Sequence, residues 1–186
     1  MTRRSAASLT LLLSIAGCAS FTPAACGGPD DPGAGVVLQM PDTIGGLRVK
    51  EEKKATKQLN EESTPDATYQ CPGEGRVFTL RDGKELRGVL QVSRLAPDAR
   101  LEDREFVSRL VRSITGNILQ PERVGDVDVF RAVSAGNEQI VSTWFRDRFM
   151  FFLTVREDAS IQGQPVDIDF QQVLTDAVSV EVVRTA

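Results

Sequence analysis

The chain is 186 residues long and carries 22 basic against 26 acidic side chains, a net charge of −4, and no histidine. Without histidine there is no Ser-His-Asp or Cys-His catalytic arrangement and no histidine-ligated zinc. An acidic balance with no basic block argues against a nucleic-acid partner and against electrostatic attachment to anionic lipid.

The chain opens with Arg3 and Arg4, followed by an apolar run centred on Leu9, Leu11, Leu12, Leu13 and Ile15. It then reads Ile15-Ala16-Gly17-Cys18. A positive start, a short greasy centre and small residues before a cut define a secretory signal peptide. The ending resembles the lipobox of bacterial lipoproteins. That resemblance implies a diacylglycerol on the Cys18 sulfur, cleavage after Gly17, and acyl chains holding Cys18 at the membrane. The expected location is the cell membrane or outer envelope, facing outside the cytoplasm. The alternative is an ordinary secretory signal with a cysteine there by chance. Cys26 is a poorer lipid site, because Pro23 stands where the motif takes a branched aliphatic residue. About 12 apolar residues fall short of the roughly 20 that span a bilayer, which argues against a transmembrane anchor. Thr2-Arg3-Arg4 hints at twin-arginine export, but Ser5 and Ala6 lack the large apolar residues that should follow, which favours the general secretory route.

Cleavage removes two arginines and no acid, leaving 169 residues at a net −6, the size of one domain. Residues 19–35 hold three prolines, four glycines and no aliphatic side chain larger than alanine, and read as a tether to a domain over 36–186. As a flexible coil it would span about 20–25 Å. With Cys18 acylated, Cys26 and Cys71 remain. In an oxidising envelope they can pair and tie the tether to the domain; otherwise Cys26 is a free thiol.

The folded part begins with a strand near 36–40, and a second is expected at 47–49. Residues 50–66 are charge-dense with mixed signs and read as a solvated surface segment; Ala55 and Leu59, four apart, allow one helical turn or more. Residues 76–95 form a hairpin. A three-residue loop, Arg81-Asp82-Gly83, puts Gly83 at a left-handed position and gathers Phe78, Leu80, Leu86, Leu90 and Val92 on one face. A helix is predicted over 103–115, with Phe106, Val107, Leu110, Val111 and Ile114 in one stripe, Asp103 as its cap and Gly116-Asn117 as its stop.

A three-strand meander follows, at 127–133, 139–146 and 149–156, turning at 134–137 and at Asp147-Arg148. A second helix is predicted over 165–178, with Pro165, Asp167 and Asp169 near its start and Val166, Phe170, Val173, Leu174 and Ala177 buried. Val180, Val182 and Val183 suggest a last strand. With a loop at 147–148, one sheet face carries Ile140, Trp144, Phe149, Phe151, Leu153 and Val155. The other carries Val141, Phe145, Met150 and Phe152. Both faces are apolar, so each needs a cover. The expected fold is α+β: a single, mostly antiparallel sheet with the two helices on opposite faces, or one helix plus the N-terminal segment. The order hairpin, helix, meander, helix is similar to the PsbP-like α/β/α sandwich. That likeness implies binding or assembly without catalysis and transfers no functional residue.

The aromatic cluster is the densest candidate feature. Trp144, Phe145, Met150 and Phe152 make a candidate apolar binding patch, with Met150 and Phe152 expected to be the most exposed; the competing reading is plain core. Asp126 with Asp128, and Asp167 with Asp169, are paired carboxylates without the spacing of a calcium loop. Gly27-Gly28 and Gly45-Gly46 lack the Gly-Lys-Ser/Thr of a phosphate loop. No catalytic residue, metal or cofactor is implied. The expected function is a membrane-anchored envelope lipoprotein whose domain binds a protein partner or an apolar ligand. The alternatives are an envelope enzyme using carboxylate or Lys/Ser chemistry, and a purely structural role.

Overall fold

The computed structural model describes residues 26–28, 31–62, 69–134, 139–156, 160–161, 164–165 and 169–185. Its centre is an eight-stranded antiparallel sheet. In chain order the strands are β1 (Val36–Gln39), β2 (Thr43–Ile44), β3 (Leu47–Glu51), β4 (Gln70–Asp82), β5 (Glu85–Leu95), β6 (Pro121–Val124), β7 (Val127–Ser134), β8 (Gln139–Arg146), β9 (Phe149–Arg156), β10 (Ser160–Ile161), β11 (Gln164–Pro165) and β12 (Glu181–Arg184). The helices are α1 (Lys53–Glu62), α2 (Arg104–Thr115) and α3 (Phe170–Val178). The main sheet runs β2-β3-β4-β5-β9-β8-β7-β6; β1 pairs with β12 and β10 with β11 as separate ribbons.

The meander has the register that segregates its faces. Trp144 lies opposite Phe151 and Phe145 opposite Met150, across a turn in which Asp147 and Arg148 both have positive φ. Such two-residue turns match the twist of the strands they join. The expected turn at 134–137 falls outside the described residues apart from Ser134. An edge strand absent from the sequence reading, β6, folds back on β7 through Gly125 at φ 57°.

Two sequence expectations need correction. The hairpin closes through Gly83-Lys84, with Asp82 opposite Glu85 and Arg81 opposite Leu86, and the register shifts between Leu80 and Arg81. This bulge absorbs Arg87 and flips the phase of β5 beyond it. Leu86 is therefore 39% exposed, while Phe78, Leu80, Leu90 and Val92 share the core. The second helix starts at Phe170, not at 165, because Asp169 is its cap and accepts from the Gln172 N–H at 3.1 Å; Pro165 belongs to β11. Val166 and Asp167 lie outside the described residues. The charge-dense stretch is a ten-residue helix, α1, which closes a sheet edge. Strand β3 ends at Glu51, and α1 takes over the exposed edge of β4 beyond that point. Thr56 Oγ1 accepts from the Val77 N–H at 2.9 Å, and Asn60 bonds both the N–H and the carbonyl of Gly75. Side chains thus satisfy backbone groups that would otherwise form an open sheet edge.

Helix α2 follows its sequence signals closely. Asp103 accepts from the N–H groups of Glu105 and Phe106, and Gly116 closes the helix in a left-handed conformation. Those two bonds from the N–H groups, Phe106 first, hold the Asp103 carboxyl below its usual value despite some desolvation. Phe106, Leu110 and Val111 are buried.

The two faces are covered unequally. On one, Phe78, Leu80, Leu90, Val92, Trp144, Phe151 and Leu153 meet Val173, Leu174 and Ala177 of α3, with Leu38 and Val180 beside them. Trp144 is fully buried and stacks on Phe151 at 5.2 Å, with their planes 5° apart. Gly45 lets α3 come close: a Cβ there would stand 2.5 Å from Val173 Cγ2. On the other face, Phe106 and Leu110 of α2 cover Leu95 and Met150. Beyond that helix Val89, Gln91, Val141, Phe152 and Thr154 remain half-buried.

Candidate functional site

The residues grouped as an apolar patch do not form one. Trp144 points into the closed face and is inaccessible, and Met150, 4% exposed, lies under α2. Strand parity explains Trp144: it is one residue from Phe145 and points the opposite way. Met150 directly opposes Phe145, and the same helix that leaves Phe145 half-open covers it. Phe152 is half-buried on the open part of that face.

Phe145 belongs to a groove where the first turns of α2 meet the β6–β8 end of the sheet. The cavity holds about 390 Å³, within the usual range for small-ligand sites. Leu101, Val107, Phe130 and Phe145 supply its apolar walls; Arg104, Ser108, Gln120 and Asp128 supply polar groups. Phe130 opposes Thr143, two residues from Phe145, so both rings stand on the α2 side. Asp128 is held by Arg123 at 3.0 Å, and Asp126 pairs with Arg146. Both acids of this pair therefore sit in ion pairs along the turn of β6 and β7. Asp169 caps α3, as described above.

A second constellation lies at the N-terminal root. Cys26 and Cys71 are joined by a disulfide, Cα to Cα 5.7 Å. Five residues on, the Asp31 side chain is fully buried against Arg94, whose guanidinium also pairs with Glu74. Asp31 accepts from the N–H groups of Gly27 at 2.7 Å and Gly33 at 2.8 Å. Burial alone would raise the Asp31 carboxyl, but the bonds from Gly27, Arg94 and Gly33 outweigh it and hold it below the ordinary value. The hydrogen bonds to Glu74 lead in pushing the Arg94 guanidinium still higher than usual, against its desolvation. A Cβ on Gly33 would come within 2.8 Å of Arg94 Nη1, so the backbone approach depends on glycine. The second half of the sequence-defined tether is thus fastened to the domain, and Thr185 donates back to Gly35.

Among the described residues, no group of three or more His, Cys, Asp or Glu is placed to hold a metal ion. No described helix is long and apolar enough to cross a membrane. Cys18 lies outside the described residues. The groove's Arg104, Gln120 and Phe130 had no local signal in the sequence; their shared site arises only when α2 folds over the end of the sheet. No family model, curated protein or solved structure matches the chain.

Proposed function

We propose that the chain is a lipid-anchored envelope protein whose domain binds an apolar ligand without chemistry, in the groove between α2 and the β6–β8 end of the sheet. One observation carries the binding reading: an apolar-walled cavity on the less covered face, with Phe130 and Phe145 as its rings and Arg104, Ser108 and Gln120 available to orient a polar end. The lipobox-like Ile15-Ala16-Gly17-Cys18 supplies the address. We further read the fold as a PsbP-like α/β/α sandwich, because α2 and α3 lie against opposite faces of one antiparallel sheet. The additional helix α1 at the sheet edge is a departure from the simple element order.

Thermal-shift screening of fatty acids, phospholipids and other small apolar compounds tests the reading. A ligand at about 100 times its dissociation constant stabilises by roughly 2.7 kcal/mol. The expected result is a concentration-dependent rise in melting temperature that Phe145→Asp abolishes. Ligands that stabilise the Phe145→Asp variant as strongly as the native protein would place binding elsewhere.

A further inference from the structure

The N-terminal root of the domain has a definite position. Cys26 is bridged to Cys71, near the start of β4, and Asp31 is buried against Arg94, near the end of β5. The segment after β5 and the β8–β9 turn are fastened at the same end. Ala96 donates to the Tyr69 carbonyl at 2.7 Å, Leu95 donates to the Arg148 carbonyl at 2.7 Å, and Arg148 donates to the carbonyls of Ala96 and Ala99. The Asp147-Arg148 turn and the 96–101 segment therefore share one end with the bridge. The Gly83 turn is at the opposite end of the hairpin, about 30 Å away counted along β5 from Leu95 to Glu85 at roughly 3.3 Å per residue.

The covalent path from Cys18 to Cys26 is short. Eight residues reach at most about 28 Å when fully extended and about 15 Å as a coil. We infer that the Cys26–Cys71 bridge and the Asp31–Arg94 pair form a mooring that holds this one end of the domain against the bilayer carrying the Cys18 lipid, with the Gly83 turn directed away. This rests on the proposed acylation of Cys18. The partner is the lipid surface itself, and the restraint is covalent reach, not charge: the end carries both signs, with Asp98, Arg100, Asp126 and Arg146. The α2 groove lies at the moored end, since Asp128 and Phe145 sit beside the turns at 125–126 and 147–148.

The test uses the full-length acylated protein, extracted from host membranes and reconstituted into phosphatidylethanolamine–phosphatidylglycerol vesicles containing a rhodamine-labelled lipid. A donor fluorophore is introduced by a non-natural amino acid at exposed Pro72 or exposed Lys84, leaving the cysteines intact. Energy transfer to the lipid should be several-fold stronger from position 72 than from position 84. In a folded Cys26→Ser/Cys71→Ser variant, checked by near-ultraviolet circular dichroism, the difference should shrink. Equal transfer from the two positions in the bridged protein would overturn the mooring, whether or not the variant folds. Protein that fails to float with the vesicles would sink the acylation reading instead.

Discussion

The two faces of the central sheet are made from alternate residues of the same strands, yet they are built for different work. Trp144 and Phe145 are neighbours in β8. The first is sealed between Phe151 and α3; the second stands half-open at the mouth of a groove. Among the described residues, the closed face packs against α3 and the β1–β12 ribbon, while the other packs its apolar cluster under α2 at one end and leaves Val89, Val141 and Phe152 half-buried. Burial concentrated on one side supplies stability, which leaves the other side free to be incompletely covered. Hydrophobic content alone does not distinguish a core from a binding wall; coverage by the next layer does.

That contrast can be broken by mutation. Trp144→Ala should cost about 5 kcal/mol, the upper end for truncating a fully buried aromatic, and should be read from denaturant midpoints. A loss no larger than that from Phe145→Ala would erase the distinction between the faces. Removing the bridge with Cys26→Ser/Cys71→Ser should cost about 4 kcal/mol on the chain-entropy model, comparable to an interior deletion. Phe145→Ala should cost only about 1–2 kcal/mol, because its ring is only partly buried, while impairing ligand-induced stabilisation.

Two smaller effects sharpen the picture. Thr143 is fully buried, and its hydroxyl has no hydrogen-bond partner among the described residues. Thr143→Val keeps the branched shape and removes an unpaired polar group, so it should raise stability by about 1 kcal/mol. The last effect concerns the Asp31 clasp and acid. Its carboxyl titrates below its unfolded value of about 3.9, so its stabilising contribution is complete above that pH and is lost as pH falls through the depressed native value. Hydrogen exchange should show the Gly27 and Gly33 amides losing protection below about pH 4, while amides in β8 and β9 keep theirs.

Much of this architecture was legible from local signals. Asp103, the 3.6-residue stripe and Gly116 fix α2, because cap, packing face and stop all lie within one short stretch. The meander was readable because the two-residue Asp147-Arg148 turn between two apolar runs sets the pairing of Trp144 with Phe151 and Phe145 with Met150. The hairpin register was not, because the bulge at Arg87 depends on packing and not on the Asp-Gly dipeptide. The start of α3 was misplaced because Pro165 reads as a first-turn residue and Asp167 and Asp169 as acids inside the first turn; the fold instead uses Asp169 as the cap. The site was legible only in Phe145 and in the Cys26–Cys71 pair. The groove draws on residues from α2, β7, β8 and the chain before β6, and Asp31 reaches Arg94 across 63 positions of sequence. Neither arrangement has a local pattern.

The placement proposed for this domain depends on one sulfur. Intact-mass analysis of the protein extracted from membranes tests it directly, together with cell fractionation of Cys18→Ser. The account predicts a mature chain beginning at an acylated Cys18 and a serine variant released from the membrane fraction. An unmodified Cys18 in the mature protein, or a serine variant that sediments with membranes as before, would contradict it.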